Sequence, residues 1–202
     1  MSQPAAHDNR AAWRHDLPVL TGSTVLLREP SHQDVGPLID LLAASESRFG
    51  LDEDAGDASV PGFVERARAD RVRGVGFTYV VTLGGSRAVV GLFQVRALDA
   101  LFENAEWEAT LVPSIRGTGV FLESARLVGS LAFGTVGARR LESRVATQNG
   151  RAHGALRKLG AVQEGVLRRS VRRHGEFVDQ ILWSILKEDW TSHWVSTGPR
   201  VH

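Results

Sequence analysis

The sequence predicts a single α/β domain built on a mixed sheet, and three observations predict it. Phe77, Tyr79 and Val81 alternate with Thr78 and Thr82, the period of two that a strand requires. Val35, Leu38, Ile39 and Leu42 fall at i, i+3, i+4 and i+7, as do Ala152, Ala155, Leu156 and Leu159, the spacing of one helical face. Between these patterns the chain runs strand, glycine-rich turn, helix, strand, so helices and strands are interleaved rather than segregated.

The elements follow in order. Residues 1–20 are small and polar around isolated Trp13, Leu17 and Val19, and read as an N-terminal arm; 21–194 form the domain and 195–202 a C-terminal tail. Thr24–Arg28 is a short strand, and Pro30, Ser31 and Asp34 lead into the first helix. An acid-rich loop with Gly and Pro precedes a second helix at Phe63–Val72. Phe77–Thr82 and Ala88–Arg96 are the arms of a hairpin turned by Gly84-Gly85, and Trp107–Val112 is the next strand, stopped by Pro113. A nearly all-apolar helix occupies Val120–Phe133 and a strand Leu141–Val145; the following helix ends at Gly160, a residue suited to the position after a helix C-terminus. Val162–Arg172 and Phe177–Leu186 flank the turn RHGE, and the second of them, apolar on both faces, is expected inside the sheet.

Composition narrows the function. A chain of 202 residues, 43% apolar and 23% charged, suffices for one core. Without cysteine there is no disulfide, thiolate metal site or thiol nucleophile. Lys and Arg number 24 against 23 Asp and Glu, a net charge of +1 that argues against a nucleic-acid partner. Arg168, Arg169, Arg172 and Arg173 do not change this, because strand alternation divides them between two faces. The seven histidines lack ligand spacing, so no metal is expected. No signal peptide and no membrane-spanning apolar run is present, and the expected location is cytoplasmic.

Arg116, Gly117, Thr118, Gly119 and Val120 lie between a strand and a helix, where the unbonded amides of a first helical turn and the positive end of the helix dipole favour an anion. Glycine permits positive φ and lets a phosphate approach without a Cβ in the way. A P-loop would need G-x-x-x-x-G-K-[ST], which is absent, and a dinucleotide fingerprint would need a glycine where Leu122 stands. Taken alone, the run could equally be a tight turn with no ligand.

The run LVPSIRGTGV, with RLESRVATQNGRAHGALRKLGAVQEGVLRRS and DQILWSILKEDW after it, resembles the Gcn5-related N-acetyltransferase (GNAT) superfamily, in the branch of the ribosomal-protein N-terminal acetyltransferases. The resemblance spans roughly Thr24 to Trp190 and implies a mostly antiparallel sheet of about six to seven strands, splayed at the cofactor site and flanked by about four helices. Its pyrophosphate signature, [QR]-x-x-G-x-[GA], is matched by Arg116–Val120, with Phe121 in place of the final small residue. It implies acetyl-CoA as acetyl donor, Leu111 and Val112 beside the pantetheine, and Asn149 contacting the cofactor; Asn149 also reads as a helix N-cap, and the two roles are compatible.

Amide formation from a thioester requires a neutral amine, a stabilised oxyanion and a departing thiolate. Glu106 and Glu108, two residues apart on one strand, project from one face, and either can serve as base; the resemblance favours Glu106, while both could instead line a hydrated cleft or pair with arginines. The oxyanion is expected on a backbone N–H near Val112. For the acid, the resemblance looks to a tyrosine or a serine where this chain has Leu156 and Ala152; Ser114 and Tyr79 bear hydroxyls but no pattern supports them. A thiolate, with a parent thiol pKa near ~8.5, leaves tolerably without an acid.

The implied acceptor is a primary amine, a protein N-terminus or a small molecule, and Glu46, Asp52, Glu53, Asp54 and Asp57 would give its entrance a negative rim. A homodimer is a family-level expectation. The contrasting function is a non-catalytic acyl-CoA sensor or interaction module of the same fold, motivated by Leu156 and Ala152.

Overall fold

The computed structural model describes residues 11–43, 60–173 and 175–190. Among the described residues eight strands form one sheet: β1 (Leu20–Thr21), β2 (Val25–Arg28), β3 (Gly76–Leu83), β4 (Val89–Ala97), β5 (Asn104–Leu111), β6 (Arg140–Ala146), β7 (Val162–Arg173) and β8 (Glu176–Leu186). Their order across the sheet is β1-β2-β3-β4-β5-β6-β8-β7, and every neighbouring pair is antiparallel except β5 with β6. The expected mixed, mostly antiparallel sheet is present, with one strand more than the pattern suggested. That strand, β1, has two residues and is too short to show an alternation. As its doubly apolar sequence requires, β8 lies inside the sheet, between β6 and β7.

The helices are α1 (Ala12–His15), α2 (Val35–Ala43), α3 (Val60–Arg73), α4 (Val120–Leu131) and α5 (Gly150–Lys158). On one face of the sheet α2 and α3 enclose a core of Leu38, Phe63 and Val64 against Val80 and Leu92. On the other, Val120, Ala125 and Val128 of α4 and Leu156 of α5 meet Phe93, Trp107 and Trp183. β3 is sandwiched between these layers and is buried from Gly76 to Thr82. At the end of α4 the chain widens into a π-type turn, Ala132–Val136, where the sequence predicted plain helix to Phe133.

The segment read as an arm is partly docked. Trp13, 2% exposed, sits edge-on to Phe77 and Phe102 at 5.6 and 5.5 Å, and Leu17 is buried as well. Two isolated apolar residues carry no period, so their burial was not legible from spacing. Residues 1–10 of the arm, the tail 195–202 and the acidic loop residues Glu46, Asp52, Glu53, Asp54 and Asp57 lie outside the described residues.

What positions the site is the junction of β5 and β6. Their parallel ladder has three pairs, Asn104 with Arg140, Ala105 with Leu141 and Glu106 with Glu142. Both strands then continue, β5 laddered to β4 as far as Leu111 and β6 laddered to β8 as far as Ala146. Ser143 Oγ donates to the Trp107 carbonyl at 2.9 Å where the strands part. The sheet therefore splits in its own middle.

Candidate active site

A cleft of about 610 Å³ opens from this split. Its walls are Glu108–Leu111 of β5, the turn at Arg116–Gly119, the first turn of α4 and one face of α5. Gly117 and Gly119 have φ of +89° and +94°, a region that residues with a Cβ enter at a cost, and a Cβ built on either would meet nothing within 4 Å. The space before the turn is thus open. Arg116 donates from Nε to the Leu111 carbonyl at 3.1 Å, which fixes the guanidinium against the end of β5. Glu123 is the one acid in the first turn of α4, and it is engaged by the amides and hydroxyls of Ser23 and Thr24. Burial tends to raise its carboxyl pKa, but those hydrogen bonds prevail and hold it below the usual range.

Among the described residues of the walls, Arg116, Arg151 and Lys158 face a single carboxylate, Glu108. A polyanion with a long extended arm fits such a space: phosphates at the helix start and its cations, the arm along the edge of β5. These are the features a coenzyme A ester needs.

Of the residues read from sequence, Leu111, Arg116, Gly117, Gly119, Asn149 and Glu108 come together in the cleft. Thr118, Val112 and Val120 are not among its walls. Thr118 Oγ1 donates to the Ile115 carbonyl at 2.7 Å, Val120 is buried in the core, and Val112 packs against the α2–α3 cluster. The amide of Val112 donates to the Val90 carbonyl at 2.9 Å, so an oxyanion donor in this region has to be a different amide. Asn149 caps α5, its side chain accepting from the Ala152 amide at 3.1 Å, and lines the cleft as well. Sequence reasoning missed Arg151, Gly154 and Lys158. Their signal was present: Arg151, Gly154, Ala155 and Lys158 are again i, i+3, i+4 and i+7, two cations with small residues between them at the edge of the apolar stripe.

The two glutamates differ in surroundings. Glu106 is 5% exposed, outside the cleft walls, with Arg144 Nε 3.8 Å from its Oε1. Glu108 is half-buried and forms part of the wall.

The acetyltransferase (GNAT) domain family model matches residues 24–162. The chain belongs to this family. It is therefore an acyltransferase, of a family that uses acetyl-CoA. It is similar to the uncharacterized N-acetyltransferase YoaA of Bacillus subtilis strain 168, with 23% identity over 85% of this chain and 98% of that protein. Among solved structures it is similar to RimJ of Mycobacterium smegmatis in complex with CoA-disulfide, with 22% identity, 90% of this chain and 93% of that one covered, and a TM-score of 0.72. It is likewise similar to the spermidine/spermine N-acetyltransferase SpeG of Vibrio cholerae, with 18% identity, 84% and 96% covered, and a TM-score of 0.70.

In this acetyltransferase the positions where the resemblance seeks an acid hold none. Leu156 is buried in the core and Ala152 presents only a methyl to the cleft. Tyr79 is wholly buried and its hydroxyl donates to the Pro18 carbonyl at 2.7 Å; burial, with Glu29 and Asp16 nearby, pushes its pKa far up. Ser114 lies exposed in the turn Pro113–Ile115. Among the described residues no helix is long and apolar enough to cross a membrane.

Proposed function

We propose that the chain moves an acetyl group from acetyl-CoA to a primary amine, on a protein N-terminus or a small molecule, by direct attack within a ternary complex. The observation that carries this reading is the parting of β5 from β6 beyond Glu106, with a cation-lined cleft and an open glycine turn at its mouth. The bound thioester supplies an activated acetyl group. Amides at the start of α4, with Arg116, Arg151 and Lys158, hold phosphate charge, and the edge of β5 orients the extended arm. Glu108, on the wall, takes the proton that the attacking amine must lose. Glu106 lies one register deeper and tunes or positions its neighbour. With Leu156 and Ala152 in place of an acid, the thiolate leaves unassisted or takes a proton from water.

Thiol release from acetyl-CoA against peptides, polyamines and aminoglycosides tests the reading. Glu108→Gln is expected to lower kcat by ~10²–10³-fold, the usual worth of a general base, and Glu106→Gln by less. The reverse order assigns the base to Glu106. Tight binding of acetyl-CoA with no thiol release for any acceptor would instead favour the sensor module.

A further inference from the structure

Across the split from β5, one guanidinium of β6 is held in place yet makes no hydrogen bond among the described residues. On β6, Leu141, Ser143 and Val145 point to the α4–α5 side, so Arg140, Glu142 and Arg144 share the opposite face with Glu106 and Glu108 of β5. Arg140 is fully engaged: Nε donates to Glu142 at 2.9 Å, while its two terminal nitrogens grip both oxygens of Glu164. Arg144, two residues on, lies 3.8 Å from Glu106 and 3.9 Å from Glu142, in range for charge attraction but beyond hydrogen bonding. Its Nε is buried without a hydrogen-bond partner among the described residues, and its side chain is 27% exposed. Two carboxylates thus fix the charge in place while the fork of donors stays uncommitted.

Arg144 also follows the last β5–β6 pair, so it stands across the split from Glu108. Its backbone is secured: the carbonyl accepts from the buried Gln180 amide at 3.4 Å, whose oxygen accepts from Ser170 at 3.1 Å. An acceptor whose amine approaches Glu108 would set its next atoms beside this guanidinium. A polyamine offers only methylenes and further cations there, which a guanidinium repels. An α-amino amide or acid offers a carbonyl or carboxylate oxygen, the group that an arginine fork binds.

We propose that Arg144 receives the carbonyl or carboxylate oxygen adjacent to the acceptor amine, making peptide N-termini and amino acids, rather than polyamines, the substrates of the Glu108 site. This rests on the acetyl-transfer reading above for the identity of the site. Arg144 acts as a specificity-determining residue, and the proton transfer remains with the glutamates.

The test compares acceptors with and without that oxygen, alaninamide and Ala-led peptides against isopropylamine, with spermidine as the polyamine, at matched concentrations of neutral amine because an α-amino group, with pKa near ~8, is less basic than an alkylamine. Binding to the CoA-loaded protein is measured by calorimetry, and turnover by thiol release. The wild type should favour the α-amino amides by about tenfold or more, the worth of a charge-assisted hydrogen bond. Arg144→Gln should cut the preference for those amides over isopropylamine by about the same factor, and Arg144→Lys, which keeps the charge but not the fork, should lie between. Unchanged CoA affinity and an unchanged melting temperature in Arg144→Lys exclude misfolding as the cause. Equal affinity for amides and isopropylamine, preference for spermidine, or an Arg144→Gln loss common to all acceptors would overturn the proposal. The expected binding pattern with no thiol release would sink acetyl transfer alone and leave the recognition role standing.

Discussion

At the scale of single residues, His153 shows how little an isolated side chain reveals before it is placed. It is 6% exposed, and the Trp183 indole N–H donates to its Nδ1 at 3.0 Å. Because indole nitrogen can only donate, Nδ1 must be the unprotonated nitrogen, and Nε2 carries the hydrogen directed at the Ala146 carbonyl at 3.0 Å. The ring is thus a neutral brace between β8, α5 and the end of β6. His153→Ala strands the buried Trp183 indole N–H, while the Ala146 carbonyl still accepts from the Asn149 amide at 2.9 Å, and should lower stability by about 1–3 kcal/mol in denaturant unfolding. Acceptor specificity should be untouched, which distinguishes this brace from Arg144. The identities of Glu106 and Glu108 were plain in the sequence, but their difference was not. Alternation puts both on one face, and only the end of the β6 ladder at Glu142 makes one of them wall and the other interior.

At the scale of elements, the strand–turn–helix unit was legible because its requirements are local. A reversal into α4 demands positive φ, glycine supplies it, and the helix start follows. Gly119→Ala should therefore cost about 1–3 kcal/mol of backbone strain and put a methyl into the cleft. We expect a loss of CoA affinity larger than the loss of stability, measured by calorimetry alongside thermal melting. The α4 helix also carries a glycine set by a distant contact, Gly129, where a Cβ would come within 2.7 Å of the Trp190 ring. The basic pair of α5 was local again, with Arg151 and Lys158 two turns apart, but it was hidden beneath the stronger apolar stripe on the same helix.

At the scale of the whole molecule, the far side of the sheet is tied by charge. Arg140 joins Glu142 of its own strand to Glu164 of β7, across β8. The hydrogen bonds from Arg140, then from Ser184, draw the Glu164 carboxyl from its ordinary 4.5 down to about 2. Asp34 is also held low: burial raises it, but hydrogen bonds from Arg28 and Ser31 more than offset this. A carboxyl depressed on folding stabilises the fold above its unfolded pKa and loses that contribution as pH falls through the folded one. Stability should thus be flat above about pH 5 and decline between about pH 4.5 and 2, and Glu164→Gln should flatten part of that decline. The contribution of Glu164 is modest, since its side chain is 35% exposed. In the other direction, acetyl-CoA at 100 times its Kd should add about 2.7 kcal/mol, a rise in melting temperature of roughly 5–10 °C for a chain of this length. No rise in a thermal scan would refute cofactor binding itself.

The sequence by itself determined the class of fold, the glycine turn and the family, because each rests on contacts between residues a few positions apart: alternation, helical spacing, φ at a glycine. The tertiary structure alone decided what crosses the sheet. That β5 and β6 part after Glu106, and that Arg140 reaches Glu164 while Arg144 lies across from Glu106, depend on register between strands that lie tens of residues apart, and that Trp13 closes the core depends on the docking of α1 onto Phe77 and Phe102. Register is set by the packing of both faces together, and no local period encodes it.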